Sequence, residues 1–181
     1  MTKTVIGLYD DLADAQRAIQ ELLTNGFIGD EINVVANKAT GDTTAASTQG
    51  AIIGSLAELT SVTIPGIGPT VAAGPLFSSR AAEKDGTRTN LLDVFLNAGV
   101  PWERSHYYAE GIRRGGALVI VRPPDHMAVR AVQIIHHYGP VDVDQRARQW
   151  RENGWRGFDA EASSYSKADI ERERQVTEAR A

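Results

Sequence analysis

Hydrophobic and polar positions follow two different periods along the N-terminal part of the chain. Residues 4–9 (TVIGLY) form a β-branched and aromatic run that stops at two aspartates, a pattern typical of a short strand. Apolar residues then recur at helical spacing as far as Gly26, with Asp10 or Asp11 as the N-cap. Residues 32–35 are again apolar and predict a second strand. The pattern therefore predicts a β-α-β unit.

The same order of patterns returns in the second half of the chain. Residues 117–121 (ALVIV) predict a strand, and Pro123 and Pro124 ahead of a helical pattern predict a helix start. Gly139 ends that helix, and residues 141–143 predict a last short strand. Two β-α-β units in tandem indicate an α+β, ferredoxin-like fold, with both helices on one face of a four-stranded antiparallel sheet.

The strands predicted over residues 4–9 and 117–121 are apolar at both odd and even positions. A strand with one face in water normally alternates between apolar and polar residues. The continuous apolarity predicts that both faces of the sheet are covered, by an insertion, by the C-terminal segment or by another subunit.

An apolar, Gly/Pro-rich insertion, residues 39–99, separates the two units. Between residues 41 and 79 the only charged side chains are Asp42 and Glu58. The pattern favours a helix over about residues 44–62 and a second apolar run over residues 70–77. The hinge IPGIGP lies between them and breaks a helix, so we expect a helical hairpin.

Small residues keep the surface of this hairpin shallow, which lets another helix approach closely. The residues predicted to mediate interaction are Gly50, Ile52, Ile53, Gly54, Ile64, Pro65, Gly66, Ile67, Gly68 and Pro69. Three interpretations stay open for the hairpin: packing on the protein's own sheet or on another subunit, contact with a membrane surface, and partial disorder. Each arm is shorter than the ~20 apolar residues that a membrane span needs.

The rest of the chain completes the predicted organisation. Residues 91–96 and 102–114 predict two further helices, and residues 146–181 predict a helical, charged tail in which acidic and basic residues balance. We therefore expect a split ferredoxin-like domain made of residues 1–38 and 100–145, the insertion, and the tail.

Composition narrows the classes of function. The 181-residue chain has a net charge of −4 and no cysteine. The mild negative charge argues against nucleic acid as a partner, because phosphate binding needs a basic face. The lack of cysteine excludes disulfides and Cys-ligated zinc. The N-terminus shows no apolar stretch of the secretory kind, so we expect a cytoplasmic protein.

Reactive side chains are densest on the helix predicted over residues 102–114. His106 and Glu110 stand four residues apart on one helix face, a spacing that can hold a metal ion or an acid–base pair. A catalytic zinc usually takes three protein ligands, and the pattern offers two. The alternative is an ordinary amphipathic helix with Tyr108 inward and Arg113 near its C-terminus.

His106, Tyr108, Glu110 and Arg113 therefore define a candidate ligand pocket without a recognisable chemistry. The chain contains no nucleophile elbow, no zinc-protease motif and no calcium loop. We predict no catalytic residue, no cofactor and no metal site, and we expect the protein not to be an enzyme.

Four segments together resemble the bacterial heat-induced general stress protein family. They are VIGLYDDLADAQRAIQELLTNGF at residues 5–27, IPGIGP followed by AAGPL at residues 64–76, YYAEGIRRGGALVIVR at residues 107–122, and DVDQRARQWRENGW at residues 142–155. The resemblance covers most of residues 3–155. It implies a stress-response setting and supplies no catalytic residues.

The leading hypothesis is a non-enzymatic stress-response protein that forms a homo-oligomer or binds another protein through the insertion and the sheet face. One alternative is a peripheral membrane protein that attaches through the apolar hairpin. Another is a small-ligand or metal-binding dimer of the ferredoxin-like type, using the candidate ligand pocket.

Overall fold

One antiparallel sheet and the helices on its two faces organise the chain. The computed structural model describes residues 3–37, 60–64, 66–77, 91–159, 161–162, 165 and 167–179. The strands are β1 (Val5–Tyr9), β2 (Ile32–Asn37), β3 (Thr60–Ile64), β4 (Gly68–Ala73) and β5 (Ala117–Val121). The helices are α1 (Leu12–Thr24), α2 (Leu91–Asn97), α3 (Trp102–Arg113), α4 (Ala128–His137), α5 (Val143–Glu152) and α6 (Lys167–Ala179).

The strands lie in the order β1-β5-β2-β4-β3, and every neighbouring pair is antiparallel. Strand β5 runs between β1 and β2, so that Leu118 stands opposite Leu8 on one side and Val35 on the other. The predicted α+β class with an antiparallel sheet is confirmed, and the three strands predicted with the strongest apolar patterns all form.

Both faces of the sheet are covered by the chain's own helices. Helices α1 and α4 pack on one face, where Ile19, Leu22 and Ile135 join the core. Helices α2, α3 and α5 pack on the other face, with Phe95 and Ile112 in that core. All five residues of β5 are buried. The prediction of a doubly covered sheet is confirmed, and because the cover is internal, the central strands present no face to another subunit.

Helix α1 begins and ends where the sequence predicts. The Asp11 side chain accepts a hydrogen bond from the Ala13 N–H (3.0 Å), which identifies Asp11 and not Asp10 as the N-cap. Beyond Asn25, Gly26 has a φ of 92°, a conformation that ends a helix readily when the residue is glycine.

The prediction of a strand over residues 141–143 is wrong. The Val141 N–H donates to the Leu8 carbonyl (2.7 Å), which is a single bond at the outer edge of β1. Asp142 then caps helix α5 by accepting from the N–H groups of Asp144 and Gln145. Val143 opens that helix and is buried in the core. An N-cap aspartate ahead of a helical apolar pattern outweighs two valines in a three-residue segment.

Within the insertion, β3 and β4 form a β-hairpin in place of the predicted helical hairpin. Strands β3 and β4 pair with Ile64 opposite Gly68, and β4 pairs with β2, which brings the sheet to five strands. The Ile67 N–H donates to the Ile64 carbonyl (3.1 Å), and Gly66 has a φ of 80°. A positive φ at Gly66 together with this hydrogen bond suits a type II turn, and β3 and β4 are therefore joined as a strand hairpin.

This hairpin changes the interpretation of the predicted interaction residues. Ile64 and Ile67 are buried in the core beneath α2 and α3, and Gly68 and Pro69 begin β4. The hairpin turns both isoleucines inward, so an interaction role for them stays a prediction without an exposed surface in the single chain. Outside the described residues lie Gly50, Ile52, Ile53, Gly54 and Pro65, together with most of the helix predicted over residues 44–62.

Candidate functional site

The four residues of the candidate ligand pocket have different neighbours. The Phe158 N–H donates to His106 Nδ1 (3.2 Å), and the His106 ring stands edge-on to Trp102 at 4.7 Å. Burial lowers the pKa of His106. Tyr108 instead lines a groove beside β1, and burial raises the pKa of its hydroxyl. His106 and Tyr108 therefore serve different surfaces of α3.

Glu110 lies in the interior at 1 % exposure and belongs to an ion cluster. Its Oε1 accepts from Arg113 (3.0 Å) and from Arg114 Nε (2.8 Å), while its Oε2 has no hydrogen-bond partner among the described residues. The described residues also hold no group of three or more His, Asp or Glu side chains that could bind a metal ion. The predicted residues thus do not converge on one pocket.

Arg114, which the candidate ligand pocket does not include, is at the centre of this cluster. Its side chain is 15 % exposed, and its Nη1 donates to Glu173 Oε1 (2.5 Å). The guanidinium lies over the Trp150 ring at 4.9 Å and near the Tyr165 ring at 5.6 Å. Burial acts to lower the pKa of Arg114, but hydrogen bonds to Glu110 and Glu173 raise it overall.

One signal for this cluster was present in the sequence. A glutamate followed at three and four residues by arginines predicts ion pairs along a helix. Burial of the pairs depends on α5 and α6, which come from distant parts of the chain, and no local pattern reports that contact.

A cleft of about 170 Å³ opens beside Arg114, between the end of β1, the end of α3, and helices α5 and α6. Leu8, Gly111 and Trp150 are among the residues that line it. Arg146 holds both carboxylate oxygens of Asp10 at 3.0 and 2.9 Å, so one wall is a bidentate ion pair. Arginines and carboxylates alternate around the cleft.

The glycines of the GIRRGG segment explain how α3 comes so close to β1. A Cβ atom at Gly111 would lie 2.4 Å from Leu8 Cδ2, and a Cβ atom at Gly116 would lie 2.8 Å from the Gly111 carbonyl. At Gly116 the nearest atom is backbone, so glycine is needed there for this approach, whereas at Gly111 the Leu8 side chain would have to shift. The close packing sets Arg114 at the rim of the cleft.

A second groove, of about 290 Å³, runs along the outer edge of β1. Strand β1 is the last in the sheet order, and the Leu8 carbonyl faces outward, since it accepts from Val141. Backbone groups of alternate residues share a direction in an antiparallel strand, so Ile6 also presents its N–H and C=O outward. Among the described residues, no strand pairs with this edge.

Exposed apolar side chains flank this open edge. Val132 lines the groove and is 42 % exposed, and Val129, one turn earlier on α4, is 70 % exposed. Tyr108 and Val100 of the opposite wall are buried. The groove thus combines unpaired backbone groups with an apolar rim.

None of the helices in the described part of the chain is long and apolar enough to cross a membrane. Comparison with protein-family models, with curated proteins and with solved structures finds no match for this chain. Function is therefore inferred from the geometry of the chain itself.

Proposed function

We propose that the protein is non-enzymatic and acts by self-association, with two copies joined along the outer edges of β1. The observation that carries this proposal is the open edge itself, where Ile6 presents its backbone N–H and C=O to a groove that is lined by Val132 and Tyr108 and also by Arg104 and His136. An unpaired, apolar strand edge is a template for a further strand.

The pairing has a definite geometry. The Val141 N–H already donates to the Leu8 carbonyl, so a second strand would form its backbone hydrogen bonds with Ile6 and Thr4. A two-fold axis perpendicular to the sheet pairs the strands antiparallel and makes the interface isologous. The same axis keeps both copies of α4 on one face, where Val129 and Val132 of each copy lose contact with water.

Other parts of the molecule offer less for association. Both sheet faces carry the chain's own helices, and Ile64 and Ile67 are core residues. Association through Gly50, Ile52, Ile53 and Gly54 stays a prediction, since these residues lie outside the described ranges. Strand β3 forms the other edge of the sheet, and the β1 edge is the one beside which exposed apolar side chains, Val129 and Val132, are described.

A non-enzymatic role is supported by how the reactive side chains are used. His106 accepts from the backbone of Phe158, and Glu110 neutralises two arginines. Such contacts give these side chains structural tasks. The four segments that resemble the general stress proteins support a stress-response setting for the association, in the cytoplasm.

A ferredoxin-like core is supported by the strand order β1-β5-β2, with α1 and α4 together on one face. In this interpretation, the single bond from Val141 to Leu8 stands where a fourth core strand would lie. The chain turns into α5 at that point, and the edge beside Ile6 is left open to a second copy.

The two other functions expected from the sequence gain less support. Attachment to a membrane through the hairpin would need exposed apolar arms, but the described hairpin directs Ile64 and Ile67 into the core. A ligand or metal site at His106 and Glu110 would need the two side chains to converge, and they contact different groups.

The test places a charge on the rim of the groove. Val132→Lys adds a like charge facing its symmetry mate and removes apolar contact, so the dimer dissociation constant should rise by roughly tenfold or more. Val176→Lys, on the exposed side of α6, is the matched control and should leave the constant unchanged. Sedimentation equilibrium measures both constants. Equal values for both variants and the wild type would overturn the proposal.

A further inference from the structure

Helix α6 covers the cleft beside Arg114 through few contacts. Within residues 168–176 its one buried apolar side chain is Ile170, whereas Val176 is exposed. Glu173 pairs with Arg114, and Arg174 Nη2 donates to the Asp10 carbonyl at 2.5 Å. A helix that leaves most of its surface in water gains little from docking and still pays the entropy of being ordered.

Arg114 is held in place without the help of α6. Its Nε is fixed by Glu110, and the face of its guanidinium rests on the Trp150 ring. A planar guanidinium that is oriented in this way, with donors left over, is the form of arginine that recognises carboxylates. When α6 is docked, the Glu173 carboxylate is the group that this guanidinium holds.

Space remains next to this pair. The cleft of about 170 Å³ separates α6 from the floor made by Leu8, Gly111 and Trp150, and Arg146 lines it as well. If α6 moves away, the Glu173 carboxylate that pairs with Arg114 leaves with it. Glu110 and Arg146 belong to other helices and stay in place.

We propose that Arg114 is the centre of a carboxylate-binding site, which α6 fills in cis through Glu173 and which opens when α6 is released. The ligand class is a carboxylate, carried either by a small organic acid or by an acidic peptide segment. Docking of α6 and binding of the ligand exclude each other. The proposal concerns a surface separate from the β1 edge and holds whether or not the chain dimerises.

Hydrogen exchange followed by mass spectrometry on the full chain tests the release of α6. Glu173→Gln removes the negative charge that pairs with Arg114 and so weakens the docking of α6. The amides of residues 167–179 should therefore exchange roughly threefold to tenfold faster. Glu171→Gln, at an exposed position of the same helix, is the matched control and should exchange like the wild type. Unchanged protection of β5 in each variant shows that the fold is intact.

Calorimetric titration then tests the site, with two probes on the wild type and on Glu173→Gln. One probe is succinate, and the other is a peptide with the sequence of residues 167–179. Any probe that binds should bind Glu173→Gln at least about fivefold more tightly than the wild type, because the tethered competitor is weakened. Adding Arg114→Gln to that variant should abolish the binding.

The two probes separate the sources of the carboxylate. Binding of succinate and peptide assigns the site to small carboxylates in general, whereas binding of the peptide alone assigns it to an acidic segment. Failure of both probes to bind Glu173→Gln would overturn the proposal, as would equal exchange of α6 in that variant and the wild type.

Discussion

At the scale of single residues, Glu110 is the buried charge on which the arginine cluster depends. It lies at 1 % exposure and accepts from two arginines whose side chains are also mostly buried. A buried ion pair adds little net stability over an apolar pair, but removing one partner leaves the other charge without compensation.

We therefore predict that Glu110→Gln lowers the free energy of unfolding by about 3 kcal/mol, since Arg113 and Arg114 both lose the buried carboxylate that they share. The matched control is Asp14→Asn, which breaks the exposed pair with Arg17 and should cost at most about 1 kcal/mol. Urea denaturation of both variants measures the difference. Equal losses would contradict a buried role for Glu110.

His106 gives a prediction on pH. Burial lowers its pKa from the ordinary value of 6.5, so the unfolded chain binds a proton at a pH where the folded chain does not. The free energy of unfolding should therefore fall as the pH drops through about 6.5, and the fall should end below the folded pKa. Protonation would also remove the acceptor that Phe158 uses.

Urea denaturation at several pH values between about 8 and about 5 checks this dependence. His106→Gln should show a smaller fall in stability than the wild type, while His126→Gln, at an exposed position, should keep the full fall. A full fall in His106→Gln would show that other groups are responsible.

Residue spacing predicted part of this chemistry. It placed His106 and Glu110 on one face of α3, and the structure confirms that helix. It could not predict that Phe158, Tyr165 and Glu173 pack against the same face, because those contacts join residues about fifty to sixty positions apart. Contacts of that separation leave no local period in a sequence.

At the scale of elements, long periodic patterns were interpreted correctly and short or compositionally simple ones were not. Helix α1 has a clear apolar period and an evident cap, and strand β5 is a continuous apolar run with an evident boundary. The segment Gly68–Ala73 is rich in small residues, and helix and strand are hard to separate in such a run. The Pro-Gly pair before it was the better signal, since it specifies a turn.

The hairpin yields a prediction about Ile67. Because this side chain is buried under α2 and α3, Ile67→Ala should lower the free energy of unfolding by about 2–5 kcal/mol. Ile28→Ala, at an exposed isoleucine, is the control and should change it by less than about 1 kcal/mol. Thermal or urea denaturation distinguishes them. A stable Ile67→Ala variant with altered association would restore the interaction role that the sequence suggested.

At the scale of the whole molecule, strand composition carried more information than any motif. Two strands are apolar at both odd and even positions, which predicted that both faces of the sheet are covered. Helices do cover both faces. Composition could not say which segments form the cover, because α2 and α5 lie outside the two β-α-β patterns. Nor could it predict that residues 141–143 add no strand beside β1, which leaves the edge of β1 open among the described residues.

The covered faces and the open edge together support the proposed dimer, in which two copies pair along the outer edges of β1. Pairing along β1 would give its unpaired backbone groups hydrogen-bond partners, and it would also remove Val129 and Val132 of α4 from water. A closed two-fold arrangement uses that edge once in each copy, so growth stops at the dimer.

The mass of the full chain in solution, measured by light scattering on a size-exclusion column in detergent-free buffer, tests this association most directly. Pairing along β1 predicts a species of twice the chain mass, which dissociates to single chains on dilution. A single chain mass at every concentration would contradict it, and so would a mass of three or more chains.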